Sequence, residues 1–200
     1  MEKVDHKKIY REFYNPPKKP TIVDVPEFNF IMLDGKGDPN TSQDYQEALM
    51  ALYSVAFTVK FAMKKDGIAD FTVMPLEGLW WLEGEKFDLT RKNDWSWTSM
   101  IMQPEQVSKQ AIDDAKKQAI EKRDSPFLRK VRFRPFHEGK SIQIMYLGPY
   151  ADEGPTINML HEFAENQGLK LRGKHHEIYL SDPRRTAPER LRTVIRQPVK

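Results

Sequence analysis

The chain has 200 residues, with 32 Lys and Arg against 29 Asp and Glu, and a formal net charge of +3. An excess so small is a weak argument for a nucleic-acid partner, and the length is enough to bury a good core as one domain or as two small modules sharing one. The absence of cysteine excludes disulfides, thiolate metal sites and a thiol nucleophile.

The first residues, "MEKVDHKKIYREFY", are charged throughout and lack the apolar core of a signal peptide. No later apolar run approaches the length of a membrane span. The expected protein is soluble and cytoplasmic, with no membrane partner. Residues 1–27 are rich in Lys and Pro ("NPPKKPTIVDVPE"), which disfavours continuous helix and predicts an arm or a short edge strand.

The ordered body is expected from Phe28. The run "FNFIML" suits a buried strand, "DGKGDPN" is turn chemistry, and Thr41 or Ser42 can cap a helix. From Asp44 to Lys64 the residues Tyr45, Leu49, Leu52, Ala56, Val59 and Met63 recur at steps of four and three. This is a helical stripe, and Gly67 is its stop. "DFTVMPLEGLWWLEG" reads as a strand interrupted near Pro75, and "DWSWTSMIMQP" as its hairpin partner.

A charged helix is expected from Pro104 to Lys122, with a narrow Ala/Val/Ile stripe. The same element order then returns. "KSIQIMYLGPY" is strand and turn, Asp152 to Gln167 a shorter helix, "RGKHHEIYLSD" a strand and "RLRTVIRQPV" the last one. The predicted fold is α+β: a duplicated β-α-β-β module with pseudo-two-fold symmetry. The first module covers about 28–103, the connecting helix about 104–123 and the second module about 130–200. Each sheet would bury one face under its own helix, and the two remaining faces would line a central ligand groove.

"LEGLWW", "YLGPYADEGPTI" and above all "KHHEIYLSDPRRTAPERLRTVIRQPV" resemble the GyrI-like small-molecule-binding proteins. They are more closely similar to the stand-alone branch that includes cyclopropanoid cyclopropyl hydrolases. The resemblance runs from about Phe28 to the C-terminus. It implies two SHS2-type modules, a central groove and a strand glutamate facing the ligand, which falls on Glu177. In drug-sensing relatives the domain follows a DNA-binding domain. Here only about 27 residues precede the first expected strand, too few for a helix-turn-helix domain.

If "KHHEIYL" is extended, His175, Glu177 and Tyr179 share one face and His176, Ile178 and Leu180 the other. Glu177 is then either an exposed strand carboxylate or, as the resemblance implies, a groove residue. Trp80 and Trp81 face opposite ways. Trp81 shares parity with Glu77 and Leu79, and Trp81 and Trp97 are the candidate stacking surfaces, with core packing as the plain alternative. Tyr53, Phe57, Tyr150 and Met100 complete the expected lining, and Tyr146 and Tyr179 are the candidate phenol donors.

No metal or other cofactor is expected. His175 and His176 diverge, His161 is distant, and no third ligand has a chelating spacing. "GKGDPN" lacks the phosphate-loop pattern, and no Gly-x-Ser-x-Gly elbow occurs. "RKVRFRP" and "DPRRTAPERLRTVIR" are too diluted by acidic neighbours for a nucleic-acid face. The expected function, on the resemblance, is a cofactor-independent hydrolase that opens the strained cyclopropane of a flat electrophilic aromatic xenobiotic. Glu177 would be its general base. The alternative is a non-catalytic protein that binds or sequesters lipophilic, often cationic, aromatic ligands.

Overall fold

The computed structural model describes residues 2–200. Its centre is a closed barrel of six antiparallel strands, a mixed α/β architecture. A short N-terminal unit comes first: β1 (Lys3–Val4), α1 (His6–Ile9) and α2 (Arg11–Tyr14). The barrel chain then runs through β2 (Thr21–Lys36), α3 (Gln43–Lys65), β3 (Asp70–Phe71), β4 (Leu76–Trp81), β5 (Ser96–Gln103), α4 (Lys109–Lys122), α5 (Pro126–Lys130), β6 (Arg132–Leu147), α6 (Gly154–Asn166), β7 (His175–Tyr179) and β8 (Arg192–Pro198). Strand order around the barrel is β2-β5-β4-β7-β8-β6, and β1 pairs with β3 outside it.

Two long strands close the ring. The end of β2 pairs with β5 from Asn29 to Lys36, while its earlier part pairs with β6 from Thr21 to Met32. The strand expected from Phe28 therefore begins at Thr21. The preceding segment is folded rather than a loose arm: Tyr14 is buried, its hydroxyl donates to Glu77 at 2.7 Å, and the Phe13 carbonyl accepts from Arg196 at 2.6 Å.

The main helix forms where its apolar stripe predicts. The Ser42 hydroxyl accepts from the Tyr45 N–H at 3.2 Å, Asp44 sits in the first turn, and Lys64 and Lys65 sit in the last. Gly67, at φ +69°, takes the left-handed conformation that ends it. Leu52, Val55, Ala56 and Val59 bury against the barrel's outer face. The shorter α6 covers β6 and β8 with Ile157, Leu160 and Ala164 over Ile142, Ile144 and Ile195.

Closure of the ring corrects the expected groove. The sheet faces turned away from the helices do not line a cleft, because the barrel folds them onto each other. That interior holds Phe30, Met100, Ile178 and Val194 with a buried ionic cluster. His176 bonds Glu138 through Nδ1 at 2.9 Å and Glu77 through Nε2 at 3.0 Å, and Arg196 pairs with Glu138 at 3.0 Å. The two anions and two cations balance, which is what makes such burial tolerable. No helix among the described residues is long and apolar enough to cross a membrane.

Candidate functional site

The open cleft lies on the outer, helix-bearing side. Here the faces of β4 and β7 emerge between α3 and the start of α6. Register fixes what they present: Leu76 pairs with Tyr179, Gly78 with Glu177 and Trp80 with His175, so these six share one face. The cleft encloses about 2190 Å³ and is lined by Glu177 and Tyr179 of β7, Trp80 of β4, Tyr53 and Phe57 of α3, and Tyr150 of the turn before α6. So large a space exceeds the usual 300–1,000 Å³ of a small-molecule site, and the polar chemistry is concentrated around Glu177.

Glu177 is 7% exposed. Its Oε1 lies 2.9 Å from Nε2 of His175, and its Oε2 accepts from the Tyr179 hydroxyl at 2.7 Å. The same hydroxyl accepts from the Trp80 indole N–H at 3.1 Å. Tyr150 stands edge-on to Tyr179 at 5.4 Å, and Trp95 packs on Trp80 at 5.4 Å as a further wall of the cleft.

A second carboxyl reaches this point. Glu153, 3% exposed, precedes α6, and its Oε1 makes no hydrogen bond. Burial, with the neighbouring Glu177 charge, pushes it up to about 10, so it carries a proton at neutral pH. Burial opposes ionisation of Glu177 as well. His175 outweighs it, with help from the Tyr179 hydroxyl and the Glu153 carboxyl, and holds Glu177 below the ordinary carboxylate value. Two carboxyls thus share a dry site, one protonated and one ionised. Burial and the Glu177 charge raise Tyr179 well above the usual phenol value; Tyr150, raised by burial and by Glu153, lies at about 12.

Four sequence candidates lie outside the cleft. Trp81 projects to the opposite face of β4, where Lys174 sits 3.2 Å from its ring centroid and its indole donates to Glu83. Trp97 is fully buried under Tyr45, at 5.0 Å, on top of Gly35. Met100 is fully buried in the barrel interior. Tyr146 packs under α6 and donates to the Pro149 carbonyl at 2.9 Å, pinning the turn that leads to Glu153.

Glu153, Trp80 and Trp95 are the residues that sequence reasoning missed. Parity alone contained the signal for Trp80, once Gly78 is known to sit opposite Glu177. His175 and His176 diverge to opposite faces, and among the described residues no three His, Asp or Glu side chains are placed to hold a metal ion.

A model of the GyrI-like small molecule binding domain matches residues 18–200. A crystal structure of an uncharacterised conserved protein from Listeria innocua is 43% identical, with a TM-score of 0.92, covering 98% of this chain and all of that one. A Listeria innocua hydrolase is 42% identical with a TM-score of 0.89 over the whole of both chains. The EcmrR C-terminal domain, at 12% identity and a TM-score of 0.55, covers 91% of this chain and 97% of its own; it shares the fold alone. Among proteins of curated function nothing matches the chain.

Proposed function

The chain belongs to the GyrI-like small-molecule-binding family, and from that premise we propose that it is a cofactor-independent hydrolase of flat, apolar, electrophilic small molecules. The observation that carries the reading is the buried carboxyl pair, Glu177 bonded to His175 and Tyr179 and Glu153 beside it, at the end of an aromatic cleft; burial favours the protonated form of Glu153 and His175 the ionised form of Glu177. The Listeria innocua hydrolase, similar along its entire length, supports it.

The substrate's plane would stack against Trp80 and its aromatic neighbours, excluding bulk water. Glu177 takes a proton from a water whose oxygen bonds to a cyclopropane carbon. The strained carbon–carbon bond breaks, and its electron pair runs through the conjugated ring to a carbonyl oxygen. That oxygen becomes a phenolate, protonated by the Tyr179 hydroxyl or the Glu153 carboxyl. General-base help of this kind is worth about 10² to 10⁴ in rate. Strain in the three-membered ring supplies part of the remaining drive.

In this reading the domain comprises two diverged SHS2-type modules, about 28–103 and 130–200. The common strand–helix–strand–strand order of the two halves supports that division. The enzyme acts in the cytoplasm on a small aromatic xenobiotic and has no nucleic-acid partner.

A second reading has its own observation. No Lys or Arg pairs with Glu177, whose ion-pair partner among the described residues is His175. An anion so placed among aromatic rings also suits a lipophilic cation held without turnover.

Glu177→Gln separates the two. A general base predicts unchanged affinity for a neutral cyclopropane-bearing aromatic and a ring-opening rate lower by about 10² to 10⁴. A counter-ion predicts weaker binding of cationic ligands and no turnover in either protein. Wild-type protein that binds such a substrate without opening it faster than buffer sinks the hydrolase reading.

A further inference from the structure

We propose that His175 is the positioning residue that decides which carboxyl of the Glu153 and Glu177 pair serves as the base. The inference rests on the hydrolase reading and names the device that sets its acid and base apart. Two buried carboxyls sharing one proton have no intrinsic reason to divide their roles; the surroundings must divide them.

The surroundings are unequal. Both oxygens of Glu177 are engaged, one by His175 and one by Tyr179, whereas Oε1 of Glu153 makes no hydrogen bond. Other groups face the pair from several elements. Tyr45 reaches it from α3, and Tyr150 flanks it from the turn before α6. Burial raises Tyr45, Tyr150 and Tyr179 alike, so none of them supplies a charge near neutral pH. Lys92 favours the ionised form of Glu153, which is the wrong direction for this division. The Tyr179 hydroxyl and the Glu153 carboxyl favour a charge on Glu177 by hydrogen bonding, and His175, which favours it by hydrogen bond and charge together, outweighs both.

The ring is set for that task in an unusual way. His175 is 2% exposed, and its Nδ1 is buried with no hydrogen-bond partner. A histidine that orients a reacting group is ordinarily fixed by a hydrogen bond at its second nitrogen. Here the imidazole is held instead by Phe87, whose ring lies nearly parallel to it, at 4.9 Å and 14°. Phe87 itself leans on Trp95 at 5.1 Å, so the connection between β4 and β5 both walls the cleft and clamps the histidine. His161 of α6 is near enough to feel the His175 charge, and Lys86 of that connection and Glu165 of α6 act on His161 in turn.

The test tracks both carboxyls by ¹³C NMR of labelled glutamate, alongside the pH profile of kcat/KM with a neutral cyclopropane-bearing aromatic. His175→Leu removes the contact, His175→Gln keeps an N–H donor, and Phe87→Ala keeps the imidazole but frees its ring. The expected result is an upward move of the Glu177 midpoint by about one pH unit or more in His175→Leu. The acid limb of the rate profile should move with it. His175→Gln should lie nearer wild type, and Phe87→Ala should shift in the same direction by less. Midpoints of both carboxyls unchanged in His175→Leu overturn the proposal. If that variant does not fold, Phe87→Ala decides by the same criterion. Should wild-type protein open no substrate, the hydrolase reading fails separately, and the carboxyl midpoints still judge His175.

Discussion

The indole N–H of Trp80 donates to the hydroxyl of Tyr179 at 3.1 Å, and that hydroxyl donates onward to Glu177 at 2.7 Å. The bridge exists because residue 78 has no side chain. A Cβ there would lie 2.6 Å from the Trp80 indole nitrogen, closer than any real contact allows. Gly78→Ala should therefore push the indole off Tyr179 and destabilise the fold by about 1–3 kcal/mol, as overpacking does. Thermal unfolding checks the stability, and loss of the wild-type near-ultraviolet tryptophan signal checks the displacement.

The two adjacent tryptophans should respond differently to a ligand. Trp80 lines the cleft, while Trp81 lies on the far face of β4 beneath Lys174. Trp80→Phe should remove most of the fluorescence change seen when a planar aromatic is titrated, and Trp81→Phe should keep it. Equal losses from both would place the ligand somewhere other than this cleft.

Alternation along "HHEIY" is enough to put His175, Glu177 and Tyr179 on one face, and the structure has them there. The helix from Asp44 and the hairpin after Pro75 are equally legible, since periodicity and turn residues are local. What is not legible depends on partners distant in sequence. Nothing local says that Gly78, rather than Glu77, sits opposite Glu177, so the sequence points to Trp81 where the cleft uses Trp80. Glu153 reads as an ordinary acid before a helix, and its burial follows a turn that Tyr146 pins at Pro149 and that sets Tyr150 against Tyr179 of β7. The Pro-rich start hides a strand because Pro26 interrupts a ladder whose partner, β6, lies over a hundred residues away.

The barrel's ionic cluster predicts a bounded window of stability. Burial disfavours ionised Glu138, but the charges of His176 and Arg196 prevail and hold it at about 2, below its ordinary 4.5. Burial likewise disfavours charged His176, but the Glu138 charge prevails and raises it to about 9 from 6.5. Glu138 thus contributes stability that is complete above about pH 4.5 and lost as pH falls toward 2. The His176 contribution is complete below about pH 6.5 and lost as pH rises through about 9. The difference in urea-unfolding free energy between wild type and Glu138→Gln should be level between these limits, while Glu153, raised to about 10, tilts the stability of both proteins alike as pH rises above 4.5. Glu138→Gln leaves Arg196 without its anion and His176 with Glu77 alone, so that difference should be about 3–5 kcal/mol.

The last expectation separates the two candidate phenols. Tyr146 and Tyr179 are equal candidates on sequence, and their surroundings are not equal. The Tyr146 hydroxyl is spent on the Pro149 carbonyl under α6, whereas the Tyr179 hydroxyl touches Glu177 and opens onto the cleft. A donor aimed at developing oxygen charge contributes about 10² to 10³ in rate when removed from a preorganised site. Tyr179→Phe should cost kcat on that scale with substrate affinity little changed, because the ring and its apolar contacts remain. Tyr146→Phe should leave kcat near wild type and reduce stability by about 1 kcal/mol, the ordinary worth of one hydrogen bond. Single-turnover rates beside equilibrium binding distinguish these outcomes. A Tyr179→Phe protein with undiminished kcat would leave Glu153, whose proton burial holds beside Glu177, as the donor to the nascent phenolate oxygen.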